Sequence, residues 1–301
     1  MKSPLNNAGD VTLVKEIAVD EIVKSYSKNF DIDVKKYFSG LDKIAIYKCN
    51  DTGYRFYYPF TISGDSDFYI YFQQFEWYYM PWKWEHQVCL DFIKPEHNIL
   101  EVGCGQGAFL KQINRLKGTN CVGLELNESC VLDLPNLKIE NILIEEFSKN
   151  NAGKFDLVCT FQVLEHISAI NSFIKGQVDC LKKGGQMIIC VPNNDSDLMK
   201  SEQVMLNLPP HHMGLWNEFS LKSLEKYFDI KLKSIHFEPL QKQHFDWYIN
   251  VKLKKYFGNF IQNKITQLLT VSGLKKAIHK NLEKRADKIT GHSIMAVYEK
   301  V

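Results

Sequence analysis

Asn98-Ile-Leu-Glu-Val-Gly-Cys-Gly-Gln-Gly-Ala-Phe109 reads as an apolar strand, a glycine turn and the start of a helix. Glycines serve where backbone must turn sharply and approach a ligand at van der Waals distance. The helix carries Phe109, Ile113 and Leu116 at one-face spacing, with Gly118 as its expected C-cap. A second strand, Cys121–Leu124, runs into Gly123-Leu-Glu125-Leu126, where a carboxylate can accept hydrogen bonds from two ribose hydroxyls. The loop alone leaves two ligand classes open. Gly103, Gly105 and Ala108 also satisfy the dinucleotide pattern, and Glu125 stands the expected ~20 residues on, so a nicotinamide oxidoreductase is a rival. Glu101 weighs against it, because a carboxylate at the end of the first strand repels a pyrophosphate and suits a cationic amino-acid moiety. Gly107, which makes the loop GxGxG, weighs the same way.

Outward from this stretch, strands are expected at Phe155–Cys159 and Gln186–Val191, alternating with helical patterns from about 86 to 240. That alternation predicts a parallel α/β sheet. The blocks ILEVGCGQG, GLEL, FDLVCTFQVLEHI and LKKGGQMIICVPN, in this order, resemble class I S-adenosylmethionine-dependent methyltransferases. The resemblance is strongest to the branch holding ubiquinone-type O-methyltransferases and bacterial polysaccharide-cluster enzymes, and it covers roughly 95 to 240 plus the last strand. It implies a Rossmann-like core with a mostly parallel seven-stranded sheet and helices on both faces, and S-adenosylmethionine as cofactor. On that resemblance Gly103, Cys104, Gly105 and Gly107 pass beside the methionine portion, with Glu101 at the strand end. Glu125 and the adjoining Leu126 hold the nucleoside, and Phe161 and Gln162 lie near the methyl-donor end. Ile144–Phe147 sits where the family lines the adenine, and Lys83 where relatives supply a cation to the methionine carboxylate.

Methyl transfer from a sulfonium needs alignment and exclusion of water more than bond activation, and a hydroxyl acceptor adds the need for a base. Histidine suits that task near neutral pH. His166 follows the strand at 155–159, at the carboxyl end of the sheet where ligands of open α/β folds collect. Quinone-type relatives carry Glu-x-x-Glu-His here and can bind a divalent metal. This chain has Gln162-Val-Leu-Glu165-His166, and the lost carboxylate weakens a hard-metal site, so no metal is expected. The second candidate pair, His211 and His212, lies in Asn207-Leu-Pro-Pro-His-His-Met-Gly-Leu-Trp216, which resembles the acceptor-closing loop of polysaccharide-cluster relatives. A helix is expected near Ser220, with Leu221, Leu224 and Phe228 inward. The favoured reaction is O-methylation of a sugar or glycan hydroxyl in bacterial surface-polysaccharide assembly. The alternatives are an aromatic or quinone-type acceptor and a non-catalytic cofactor-binding scaffold.

Four segments follow: an aromatic-rich extension over 1–85, the cofactor-binding core over 86–247, a basic helical insertion over 248–289, and a final strand over 290–301. The first is expected to be helical from Val14 to Lys28 and to close over the site with some of Tyr78, Tyr79, Trp82 and Trp84. The insertion carries an apolar stripe of Leu253, Phe257, Phe260, Ile261, Ile265 and Leu268, with lysines elsewhere. A solvated face is the default for those lysines, and a weak membrane-surface or partner contact the alternative. The formal charge of +2 gives no basis for a nucleic-acid partner. None of the eight cysteines lies two residues from another, and several fall in apolar strands, so they read as reduced core thiols of a cytoplasmic protein. No stretch is long and apolar enough to cross a bilayer. Oligomeric state has no signature here.

Overall fold

The computed structural model describes all residues except Gln73, Glu76, Trp77, Tyr79, 200–204 and Ser272, and excludes the side chains of Met205, 259–261, 263, 264, 267, 270 and 271. The expected lid residue Tyr79 and the stripe side chains of Phe260 and Ile261 lie outside the described set.

The chain opens with strand β1 (Val11–Ala18), helix α1 (Val19–Phe30), strands β2 (Lys43–Cys49) and β3 (Arg55–Tyr58), and helix α2 (Ser66–Phe72). The helix expected from Val14 therefore begins five residues later. Val11, Thr12, Val14 and Ile17 are β-branched, and the segment finds an antiparallel partner in β2, so pairing overrides the helical spacing. The helix then starts with Asp20 and Glu21 in its first turn, where acids oppose the helix dipole favourably. Ile22 and Tyr26 of α1 and Phe68 and Phe72 of α2 are fully buried against Phe38, Ile44 and Tyr57, a satellite core beside the main one.

The core begins with α3 (Trp84–Cys89), β4 (Asn98–Val102), α4 (Ala108–Lys117), β5 (Asn120–Leu124), β6 (Leu132–Leu134) and β7 (Leu137–Glu140). It continues through α5 (Ile144–Asn151), β8 (Phe155–Phe161), α6 (Ile170–Cys180) and β9 (Leu181–Pro192). After β10 (Gly214–Leu215), α7 (Glu218–Lys222) and β11 (Ile230–Pro239) come the helices α8 (Phe245–Val271) and α9 (Leu274–Glu283) and the last strand, β12 (Thr290–Lys300). The main sheet has the order β11-β12-β9-β8-β4-β5-β7-β6. Strands β9, β8, β4, β5 and β7 are parallel neighbours, while β12, β11 and β6 join antiparallel. The seven strands expected are present, and three-residue β6 adds an eighth at the edge. The central parallel strands β4 and β8 bury all but one residue each, as strands covered on both faces must.

In α4, Phe109, Leu110 and Ile113 are buried and Leu116 is exposed, a correction to the predicted face: Leu110, one turn's spacing from Ile113, takes the inward place. Gly118 closes the helix at φ 65°, its N–H bonded to the Asn114 carbonyl. Helix α7 is capped reciprocally: the Ser220 N–H donates to Asn217 Oδ1 and the Asn217 N–H to Ser220 Oγ, both at 2.9 Å. Leu221 and Leu224 behind that cap are fully buried. In α8 the predicted stripe does not form one buried face. Gly258 leaves helical geometry at φ 74°, ψ 169°, and Phe257 and Leu268 are exposed on either side. Helices α8 and α9 are tied back by ion pairs of Lys252 with Asp197 and Lys242 with Glu283. Among the described residues no helix is long and apolar enough to cross a membrane.

Candidate functional site

The glycine turn leaves β4 with Gly103, Gly105 and Gly107 at φ 77°, 53° and 68°, in the left-handed region that favours glycine. Gly103 is further constrained by space, since a Cβ there would lie 2.4 Å from Val163 Cγ2. Glu125, just past β5, clamps the turn. Its Oε2 accepts the Gly105 N–H at 2.9 Å and its Oε1 accepts the Asn127 N–H at 3.0 Å. Each oxygen keeps lone-pair capacity for a further donor. Leu126 beside it is exposed, and Cys104 packs inward with its thiol pushed up by burial and by the charges of Glu101 and Glu125.

Glu101 is 4% exposed and its Oε2 has no hydrogen-bond partner. Burial, and then Glu125, push its carboxyl well above the usual carboxylate range, while Lys83 pulls the other way. Glu85 and Glu165 repeat the pattern: both are buried, each has one partnerless oxygen, and both feel Lys83. Lys83, half-buried at the start of α3, thus stands within electrostatic reach of three buried carboxylates. Its backbone N–H is bonded to His86 Nδ1 at 3.2 Å. A buried acid with an open oxygen beside a lysine fits a zwitterion, its ammonium on Glu101 and its carboxylate on Lys83.

Phe161 ends β8 and meets the rings of Phe109 and His86 edge-on at 5.2 and 5.1 Å. His86 stacks on Phe109 at 5.0 Å, with Trp82 at its edge. Burial, and next the charge of Lys83, hold its imidazole down to about 3. Glu85 and His86 were not singled out in the sequence; the available signal was a polar pair directly after its densest aromatic run, which ends at Trp84. Gln162 follows at φ 56°, uncommon for a residue with a side chain, and its amide donates to Ser293 Oγ at 3.1 Å. Backbone held this way at a strand exit aims the next residues across the sheet end.

Those residues lead to His166, and there the structure unites the second set of candidates. The rings of His166, His211 and His212 lie 4.5 to 4.9 Å apart, the last two stacked. The loop bearing His211 and His212 is fixed from two sides. The Glu165 carbonyl accepts the N–H groups of Met213 and Gly214, and β10 pairs with β3 of the N-terminal sheet. Hydroxyls of Tyr26, Tyr57 and Tyr69 donate to the carbonyls of Leu208, Asn207 and His211. Burial lowers His166 to about 4 and holds His211 and His212 well below the usual imidazole range. All three are held toward the neutral form, and their lowered basicity suits holding a donor or an ion better than removing a proton. Of the expected lid aromatics, Tyr78 reaches His211, while Trp82 and Trp84 pack against the core around α4. Ile144 and Phe147 of α5 are buried in the main core.

A family model described as a methyltransferase domain matches residues 77–259. The mitochondrial ubiquinone biosynthesis O-methyltransferase of Dictyostelium discoideum is 26% identical over 174 residues, 48% of this chain and 53% of that protein. The ubiquinone biosynthesis O-methyltransferase of Acinetobacter baylyi is 25% identical over 167 residues, 48% and 69% of the two lengths. The chain thus spans about half the length of the first of these relatives. Among solved structures, a SAM-dependent methyltransferase from Archaeoglobus fulgidus shares the fold at a TM-score of 0.50 and 18% identity, covering 78% of this chain and all of that one.

Proposed function

This chain belongs to the class I S-adenosylmethionine-dependent methyltransferases, and from that premise we propose that it methylates a hydroxyl on an aromatic or quinone-type small molecule. The observation that carries the cofactor site is the buried, partnerless oxygen of Glu101 beside the three left-handed glycines. In this reading Glu101 takes the methionine ammonium and Lys83 its carboxylate. Gly103, Cys104, Gly105 and Gly107 pass along the methionine portion, while Glu125 and Leu126 hold the nucleoside. Phe161 and Gln162 border the donor end. S-adenosylmethionine, when bound, supplies a methyl group already activated by its positive sulfur. The protein's part is to align an acceptor oxygen with that carbon and keep water away. His166, His211 and His212, gathered where the turn at 162–166 meets the loop at 206–214, orient the acceptor.

The names of the relatives favour an aromatic acceptor over the glycan expected from the Pro-Pro-His-His loop. Calorimetry with S-adenosylmethionine, S-adenosylhomocysteine and NAD tests the cofactor: the first two bind and the third does not, and the reverse overturns the reading. Mass spectrometry of dihydroxybenzoates and sugar nucleotides incubated with enzyme and donor tests the acceptor. Methylated phenols support the proposal; methylated sugars alone return the acceptor to a glycan. His211→Ala and His212→Ala leave S-adenosylmethionine affinity within about twofold and lower turnover about 100-fold, the scale of a lost orienting or proton-handling group. Unchanged turnover in both removes these histidines from the reaction.

A further inference from the structure

His166, His211 and His212 come from two segments of the chain, yet one ring nitrogen of each lies within 4.8 Å of one from the others. Their remaining contacts follow a single pattern. His166 Nδ1 lies 2.6 Å from the His211 carbonyl, His211 Nδ1 lies 2.8 Å from the Leu206 carbonyl, and His212 Nδ1 lies 3.0 Å from Asn207 Oδ1. A carbonyl only accepts, so Nδ1 of His166 and of His211 must carry the proton. The Asn207 amide nitrogen donates to Asn194 Oδ1 at 2.7 Å, which leaves its oxygen to accept from His212 in the same way. Each ring is therefore held as the tautomer whose Nε2 bears a lone pair. Ring orientation fixed by an N–H to carbonyl or amide bond is how proteins present imidazole to metal ions.

From this arrangement we infer that His166, His211 and His212 form a binding site for one borderline divalent transition-metal ion, of the zinc or cobalt kind. The donor set is all imidazole, which suits zinc, iron, nickel or cobalt and not the hard oxygen-seeking magnesium or calcium. Among the described residues Glu165 is not grouped with these ligands, and Gln162 brings no charge, so the described cluster holds no carboxylate of the kind a hard ion needs. His211 and His212 are 4% and 5% exposed, whereas His166 is only partly buried and marks the side of entry. In the structure the Tyr78 hydroxyl sits 2.7 Å from His211 Nε2 and uses the lone pair an ion would take. Binding displaces that hydroxyl. Three protein nitrogens leave a fourth position for an oxygen ligand, the layout of an open rather than a closed zinc site.

Full-length protein stripped with chelator is titrated calorimetrically with Zn²⁺, Co²⁺ and Mg²⁺, with Co²⁺ also followed by its visible absorption. One equivalent of Zn²⁺ or Co²⁺ binds, Co²⁺ develops the bands of a nitrogen-ligated site, and Mg²⁺ at the same concentration does not bind. His212→Gln, which keeps the volume of the ring's first atoms, lowers affinity by about 100-fold; Asn207→Leu lowers it by about 10-fold through ring orientation alone. Tyr78→Phe removes the competing hydroxyl and tightens binding several-fold, an effect a purely structural cluster has no reason to show. Titration of each variant with S-adenosylmethionine reports its fold independently, so loss of the metal site is distinguishable from failure of the cofactor site. Wild-type protein that takes up neither Zn²⁺ nor Co²⁺, or a His212→Gln variant that binds either as tightly, overturns the inference.

Discussion

The glycine loop at 103–107 and the histidine loop at 206–214 both abut the turn at 162–166, but they are held by opposite means. The glycine loop is shaped locally: its three left-handed residues and its clamp, Glu125, lie within 23 positions, 103 to 125. The histidine loop is shaped from far away, by hydroxyls of Tyr26, Tyr57, Tyr69 and Tyr78 that stand 133 to 182 positions from their partners. The first leaves a buried carboxyl oxygen of Glu101 without a partner, whereas the second fixes three imidazoles through their Nδ1 atoms. A buried acid left open beside a locally preformed turn is suited to a cationic ligand used by a whole family. Neutral donors positioned by a separate module are suited to whatever distinguishes one member from another.

If that contrast holds, damage to one loop spares the other. The largest effect is expected of Glu125→Ala, which removes both the clamp on Gly105 and the acceptor proposed for two ribose hydroxyls. S-adenosylmethionine affinity drops about 100-fold, equivalent to about 2.7 kcal/mol. Calorimetry measures it, and Zn²⁺ affinity at the histidines stays the same. A parallel loss at both sites would mean that the two loops form one cooperative unit.

Acidity sharpens the contrast on the cofactor side. His86 is held to about 3 when folded and returns to the ordinary imidazole range when unfolded. Between those values the unfolded chain binds a proton that the folded chain does not, so the contribution of His86 is intact above about 6.5 and is lost as pH falls toward 3. From pH 7 to pH 5 that is about 2 kcal/mol, at about 1.4 kcal/mol per pH unit. Urea midpoints at the two pH values fall less in His86→Gln than in wild type. An equal fall would place the acid sensitivity elsewhere.

Gly103→Ala comes next. The residue adopts φ 77°, and its new methyl would meet Val163 at 2.4 Å, so strain and overpacking together cost about 1–3 kcal/mol. Thermal melts read the loss. A wild-type melting temperature would show that the turn relaxes without strain.

How much of this was legible follows the same division. The strand Asn98–Val102, the glycine turn, the helix with its Gly118 cap and the position of Glu125 were all readable, because each depends on residues close in sequence. The second half of β1, from Val14 to Ala18, was misread as helix because its apolar spacing fits both periods and only its partner, β2, decides. Leu116 was misplaced because two inward patterns were available to a short helix, and burial of Leu110 selected one. The three histidines could be named as candidates but not joined. Nothing local says that His166 and His211 share a hydrogen bond across 45 positions. The roles of Glu85 and His86 were hidden for a related reason: directly after a run so rich in aromatics, a polar side chain gives no sign of whether it faces solvent or the crevice.

The smallest expected effect tests the remote half of the comparison most directly. Tyr57 is fully buried in the satellite core and its hydroxyl donates to the Asn207 carbonyl at 2.8 Å, one residue-length from the amide that orients His212. Tyr57→Phe keeps the ring and its packing and removes only the donor. The carbonyl then loses one bond, at a cost of about 1 kcal/mol. Because the loop is also held by β10 and by Tyr26, global stability moves little, and the change concentrates at Asn207. Hydrogen exchange at the amides of 206–214 should therefore speed up several-fold while exchange at 103–107 does not move. Uniform acceleration across both loops would mean that the N-terminal module supports the whole site, and that the two ways of holding a loop are not separable in this protein.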